Sequence, residues 1–103
     1  MNRRPVRWSA DALTDLADQV AYIASDNASA ARRVTDAIDR TAAALGDMPI
    51  GRPGRVTGTY EKSVTGLPYI IAYTISHTSG EEAVVIVRVI HTSRDWRAEA
   101  WPE

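Results

Sequence analysis

At 103 residues the chain has room for one small domain around one hydrophobic core, and 45% apolar with 24% charged residues are ordinary proportions for a globular protein. The absence of cysteine excludes disulfides, thiolate nucleophiles and thiolate metal sites. Twelve Lys and Arg against 13 Asp and Glu leave a formal charge of −1, which argues against a protein whose affinity comes mainly from neutralising phosphates. The opening Met1-Asn2-Arg3-Arg4-Pro5 has no apolar run after it, unlike a signal peptide. No stretch approaches the ~18 apolar residues of a membrane span, so the expected setting is cytoplasmic, with no membrane contact.

Pro5-Val6-Arg7-Trp8 is a candidate first strand. Ser9 is then placed to cap a helix, because its hydroxyl can accept a bond from a backbone N–H left over in the first turn. From there Leu13, Leu16, Ala17, Val20, Ile23 and Ala24 recur at the spacing of one helical face, to about Ser25. Asp26-Asn27 interrupts the pattern, and Asn27 can cap a second helix. Its apolar stripe is Ala31, Val34, Ile38, Thr41, Ala42 and Leu45, with Arg32, Arg33, Asp36, Asp39 and Arg40 facing solvent. Gly46 and Pro49 mark its end. So short a connection predicts an antiparallel helical hairpin.

Gly51-Arg52-Pro53-Gly54 is a loop signature, and the chain beyond it is strand-like. Tyr60–Val64 is a short candidate strand. After a turn at Gly66-Leu67-Pro68, Tyr69–Ile75 is rich in β-branched and aromatic residues, and Ala83–Ile90 comes after a second turn at Thr78-Ser79-Gly80. Both long runs are apolar on two faces, which predicts central strands. The expected fold is α+β in the order β-α-α-β-β-β: a helical hairpin on one face of a mainly antiparallel sheet, with the C-terminal residues around Trp96 and Trp101 as a short helix or tail.

Four separated segments carry a resemblance to the RelE/ParE superfamily of bacterial toxins. Trp8-Ser9-Ala10-Asp11-Ala12-Leu13-Thr14-Asp15-Leu16 resembles the family's capped first helix. Met48-Pro49-Ile50-Gly51-Arg52-Pro53-Gly54 resembles the loop after its second helix, Leu67-Pro68-Tyr69-Ile70-Ile71-Ala72-Tyr73 its central strand, and Val87-Arg88-Val89-Ile90-His91-Thr92-Ser93-Arg94-Asp95-Trp96 its closing segment. Each motif is weak alone; the ordered set covers nearly the whole chain. The resemblance implies one toxin domain over residues 1–103, the growth-inhibiting half of a type II toxin–antitoxin pair. It implies a cognate antitoxin as partner, with DNA contacted only through that antitoxin. It also implies one of two targets: DNA gyrase for ParE-like members, or the ribosome and mRNA for RelE-like endonucleases.

Charge separates the two targets. The nuclease reaction needs a base for the ribose 2′-hydroxyl, an acid for the leaving oxygen and cations around the phosphorane. His91 is the candidate proton carrier and Arg88 and Arg94 the candidate phosphate stabilisers. After Gly51, however, Arg52, Arg55, Lys62, Arg88, Arg94 and Arg97 are balanced by Glu61, Glu81, Glu82, Asp95, Glu99 and Glu103. That balance favours the ParE-like reading, in which no catalytic site, cofactor or metal is expected, with a non-toxic antitoxin-binding homologue as a third class. Its candidate target-facing residues are Arg52, Arg88, His91, Arg94 and Trp96, with Tyr60 and Lys62 as weaker candidates. The bland alternatives are that Arg88 pairs with an acid on a neighbouring element, that His91 bonds a turn, and that Trp96 and Trp101 pack. Two helices cannot cover both faces of the sheet, so Ile70, Ala72, Val84, Ile86 and Ile90 are the candidate antitoxin-binding residues, unless the C-terminal tail covers them.

Overall fold

The computed structural model of the chain describes residues 3–49, 51–54 and 56–92. Strand β1 (Val6–Trp8) leads into helix α1 (Ala10–Ala24), and helix α2 (Ala28–Asp47) comes after a tight connection. Both N-termini are capped as their sequences predict. Ser9 Oγ accepts the Ala12 N–H at 3.0 Å, and Asn27 Oδ1 accepts the Ala30 N–H at 3.0 Å. Strands β2 (Arg52–Pro53), β3 (Tyr60–Ser63), β4 (Tyr69–Thr78) and β5 (Glu81–His91) complete a five-stranded sheet in the order β1-β5-β4-β3-β2. The two-residue β2 is an addition to the expected order. It forms because Arg52 and Pro53 lie antiparallel to Glu61 and Tyr60 inside what the glycines and proline mark as a loop.

The sheet is antiparallel except where β1 runs parallel to β5, with Val6, Arg7 and Trp8 opposite Val84, Val85 and Ile86. The first strand therefore lies against the last. Arg4 and Pro5 extend the seam: Arg4 N–H donates to Gly46 O at 2.8 Å, and Val84 N–H donates to Pro5 O at 2.9 Å. Gly46 has to be glycine here, because a Cβ would lie 2.6 Å from the Arg4 carbonyl oxygen.

The principal core sits between the helices and the sheet. Val34, Ile38 and Leu45 from α2 meet Tyr69, Ile71 and Tyr73 from β4 and Val84, Ile86 and Val89 from β5. The expected stripe of α2 is buried as read, with Thr41 half-buried and donating to Ala37 O. Helix α1 differs. It turns the row Ala12, Leu16, Gln19 and Ile23 inward, while Leu13, Ala17 and Ala24 stay exposed and Val20 is half-buried. The apolar arc of α1 is wider than the sheet it covers, so only part of it reaches the core.

A smaller apolar cluster of Ile70, Ala72 and Ile90, flanked by Val56 and Val87, occupies the other face of the sheet. Between Tyr73 and Ala72 the β4–β5 register slips by one residue: Tyr73 faces Ile86 but Ala72 faces Arg88, leaving Val87 as the extra residue of a β-bulge. The bulge reverses which face each later residue of β5 occupies. Arg88, Val84, Ile86 and Ile90, which strict alternation places together, are consequently divided: Val84 and Ile86 join the helix-side core, and Ile90 joins the opposite cluster. The five candidate antitoxin-binding residues are divided in the same way. Ile70, Ala72, Val84, Ile86 and Ile90 are all buried, the most exposed at 7%, and they form no continuous open face.

Candidate functional site

Two of the charged residues singled out in the sequence, Arg52 and Arg88, stand in one row on the sheet face away from the helices. The pairings Arg52 with Glu61, Glu61 with Ala72 and Ala72 with Arg88 form one row across β2, β3, β4 and β5. Residues directly opposite in antiparallel strands share a face, so both arginines belong to this side. Arg52 is more than half exposed, and its Nη2 lies 3.5 Å from Oε1 of Glu61, a carboxylate that is only 3% exposed. Ala72 is fully buried and small, separating the charges of β3 from those of β5.

Arg88 is held from the side by α1. Its Nε donates to Asp15 Oδ2 at 2.7 Å and its Nη2 to Asp15 Oδ1 at 3.0 Å, a bidentate fork. Asp15 Oδ2 also accepts the backbone N–H of Val89 at 3.0 Å. That N–H needs a partner because β1 ends at Trp8, opposite Ile86, and leaves the outer edge of β5 open beyond that point. One carboxylate thus closes the strand edge and neutralises the arginine beside it. Donation to Asp15 holds the Arg88 guanidinium still further towards its charged form, outweighing the opposing effect of its partial burial.

His91 lies elsewhere. It stands opposite Tyr69, and the two rings meet edge to face at 5.1 Å between centroids. Tyr69 belongs to the helix-side core, so His91 and Arg88 leave β5 on opposite sides of the sheet. Tyr60, 39% exposed, stacks at 5.6 Å on Tyr73, and Lys62 stands half-buried opposite Ile71. The buried hydroxyl of Tyr73 has no hydrogen-bond partner among the described residues, and burial raises its pKa above the ordinary phenol value. It sits against Gly51, where a Cβ would come within 2.8 Å of that oxygen. Arg94 and Trp96 fall outside the described residues, as do Asp95 and Trp101. Among the described residues no three His, Asp or Glu side chains cluster as metal ligands, and no helix is long and apolar enough to cross a membrane.

Residues 6–96 match the family described as the ParE toxin of the type II toxin–antitoxin system parDE. The chain belongs to the ParE toxin family. A relative from Sinorhizobium fredii (strain NBRC 101917 / NGR234), named "Putative toxin Y4kP", is 39% identical over 97 residues, covering 93% of this chain and 96% of its own. Among solved structures, one described as the chromosomal ParDE toxin–antitoxin system from P. aeruginosa superposes with a TM-score of 0.76 at 17% identity, covering 88% of this chain and 98% of that one. The RelBE2 toxin–antitoxin complex from Mycobacterium tuberculosis gives a TM-score of 0.62 at 26% identity, covering 88% and 93%. The α+β arrangement of a helical hairpin on a mostly antiparallel sheet is the ParE/RelE fold.

Two residues of this ParE-family chain that organise the row escape a reading of the sequence. Asp15 sits among the polar positions of α1, and only the end of β1 turns it towards β5. Its place inside the first of the four motif segments was the available signal. Glu61 looks like a surface carboxylate in a short strand, and is buried because β2 covers it; no motif marks it.

Proposed function

We propose that this ParE-family toxin inhibits growth by poisoning DNA gyrase and is neutralised by a cognate antitoxin. The observation that carries this reading is the Asp15–Arg88 fork. The arginine best placed for phosphate chemistry is already neutralised within the chain, and Arg52 stands beside a carboxylate. A formal charge of −1 points the same way, because ribosome-bound RNA cleavage calls for uncommitted cations around the scissile phosphate. Of the candidate target-facing residues, Arg52 and Arg88 are proposed to face the target together with Arg94 and Trp96, with His91 standing on the other side of the sheet. The antitoxin partner is supported by the toxin–antitoxin systems to which the two structural neighbours belong.

The fold likeness to RelBE2 keeps one second reading, a ribosome-dependent mRNA endonuclease in which His91 moves protons and Arg88 or Arg94 stabilises phosphate. Its difficulty is geometric, since Arg88 and His91 leave the sheet on opposite sides. Titrating the purified toxin into gyrase-catalysed supercoiling of relaxed plasmid, alongside translation of a reporter mRNA, separates the two. Lost supercoiling or cleaved plasmid with intact message is the expected result. Cut message with normal gyrase overturns the gyrase reading and makes His91 central.

A further inference from the structure

The sheet face that carries Arg52 and Arg88 continues towards the turn between β4 and β5. Side chains alternate along a strand, so Thr74, Ser76 and Thr78 share the side of Ala72, with Val85, Ala83 and Glu81 opposite them in register. On β1, Val6 and Trp8 pack into the helix-side core, which turns Arg7 out onto this same face, opposite Val85. Arg7, Ser76, Thr78, Ser79, Glu81 and Ala83 line an open concavity of about 290 Å³. Its floor is Ala83, buried and too short to fill the space between its larger neighbours. Two features single this concavity out. Arg3, Arg4, Arg52 and Arg88 each lie within 3.5 Å of a carboxylate. Arg7, by contrast, is exposed and has no hydrogen bond or ion pair among the described residues, although Glu81 lines the same space. The hairpin turn is Ser79-Gly80, with both residues at positive φ, 52° and 77°. Glycine, asparagine and aspartate adopt that conformation most readily. A serine there accepts strain and adds a third hydroxyl to the lining.

We propose that this concavity binds an aspartate or glutamate side chain of the protein target, its carboxylate taken by the Arg7 guanidinium and the hydroxyls of Ser76, Thr78 and Ser79. The name of the target rests on the gyrase reading; the chemistry of the site does not. Glu81 decides between an acidic side chain and a nucleic acid. Its exposed carboxylate has no partner among the described residues and stands at the turn end of the concavity. A phosphate backbone, charged at every step, cannot keep clear of it. A polypeptide can place a lysine or arginine there, beside its own carboxylate. The occupant is therefore a segment of alternating charge. Ser76 is four residues along β4 from Ala72, roughly 13 Å, so one target surface can reach both this site and the row of Arg52 and Arg88.

The test uses the full chain, isotopically labelled, and three probes: the blocked peptide Gly-Asp-Gly-Lys-Gly, the same peptide with Asn for Asp, and a single-stranded oligothymidylate. The Asp peptide is expected to shift the amide resonances of residues 7, 76 and 78–83, and to bind Arg7→Gln about tenfold more weakly. The Asn peptide is expected to bind the natural chain about tenfold more weakly than the Asp peptide, and the oligonucleotide to leave these resonances in place. Arg7 is exposed, so its substitution should leave the thermal midpoint unchanged, and mapping on the natural chain locates the peptide even without the variant. Absence of shifts, shifts confined to another surface, equal binding of the Asn peptide, or an oligonucleotide that shifts the same amides overturns the proposal. With gyrase holoenzyme, Arg7→Gln is expected to require about tenfold more toxin for half-inhibition of supercoiling, and unchanged potency overturns the proposal. Failure of the gyrase reading looks different: the natural chain leaves supercoiling intact, yet the Asp peptide binds at Arg7.

Discussion

Asp15 and Tyr73 show how one buried polar group can stabilise the fold while another costs it stability. Asp15 satisfies three donors, so Asp15→Ala removes a bidentate carboxylate from a partly buried arginine and the acceptor from a strand N–H. A loss of about 2–3 kcal/mol is expected, read as a lower urea midpoint at unchanged slope. Asp15→Asn keeps an acceptor and should lose about half as much. Tyr73 is the opposite case. Its hydroxyl is buried with no partner among the described residues, so Tyr73→Phe should raise stability by about 1 kcal/mol. The phenol's pKa is raised above 10.0 in the folded state, which means that the unfolded chain releases this proton first. Its contribution is therefore intact below pH 10.0 and is lost as pH climbs from there through the folded pKa. Alkaline unfolding monitored by circular dichroism should begin at higher pH in the Phe variant.

Among the elements, the passage of the N-terminal segment over the end of α2 leaves no room for a side chain. Gly46→Ala puts a methyl group into the Arg4 carbonyl, and neither backbone can yield without disturbing β1. The cost should be about 1–3 kcal/mol, with the amides of residues 4–8 losing protection from hydrogen exchange before those of β4. The helices, their caps and the two central strands were legible in the sequence because each rests on local signals: Ser9 and Asn27 as caps, the spacing of Val34, Ile38 and Leu45, and the unbroken apolar run from Tyr69. What was not legible depends on partners distant in sequence. Nothing around Val87 marks a bulge, so Ile90 and Ile86 cannot be assigned to different faces from alternation alone. On α1, periodicity defines an apolar arc but not how much of it the sheet can cover, and Gln19 is buried where Leu13 and Ala17 are not. Arg88 was legible as a residue of interest, and its engagement by Asp15 was not.

For the molecule as a whole, the parallel seam between β1 and β5 determines whether the outer edge of β5 is covered. Arg4 bonds Glu82 at 2.7 Å, 78 residues away, and Ser9 donates to Val87 O at the same separation. A chain beginning at Ser9 loses both the Val6–Trp8 strand and the Pro5 acceptor of Val84, exposing most of the edge of β5. It should show no cooperative thermal transition and should aggregate through that edge, as light scattering can show.

The same seam sets a timetable for synthesis. The first strand has its resting place on the last of the described strands, so the helical hairpin can collapse early while β1 waits for a strand that does not yet exist. A nascent chain interrupted before Val84 has two helices and no complete sheet to spread them over. A truncated product of this gene is thus expected to be an unfolded target for proteolysis rather than a partial poison.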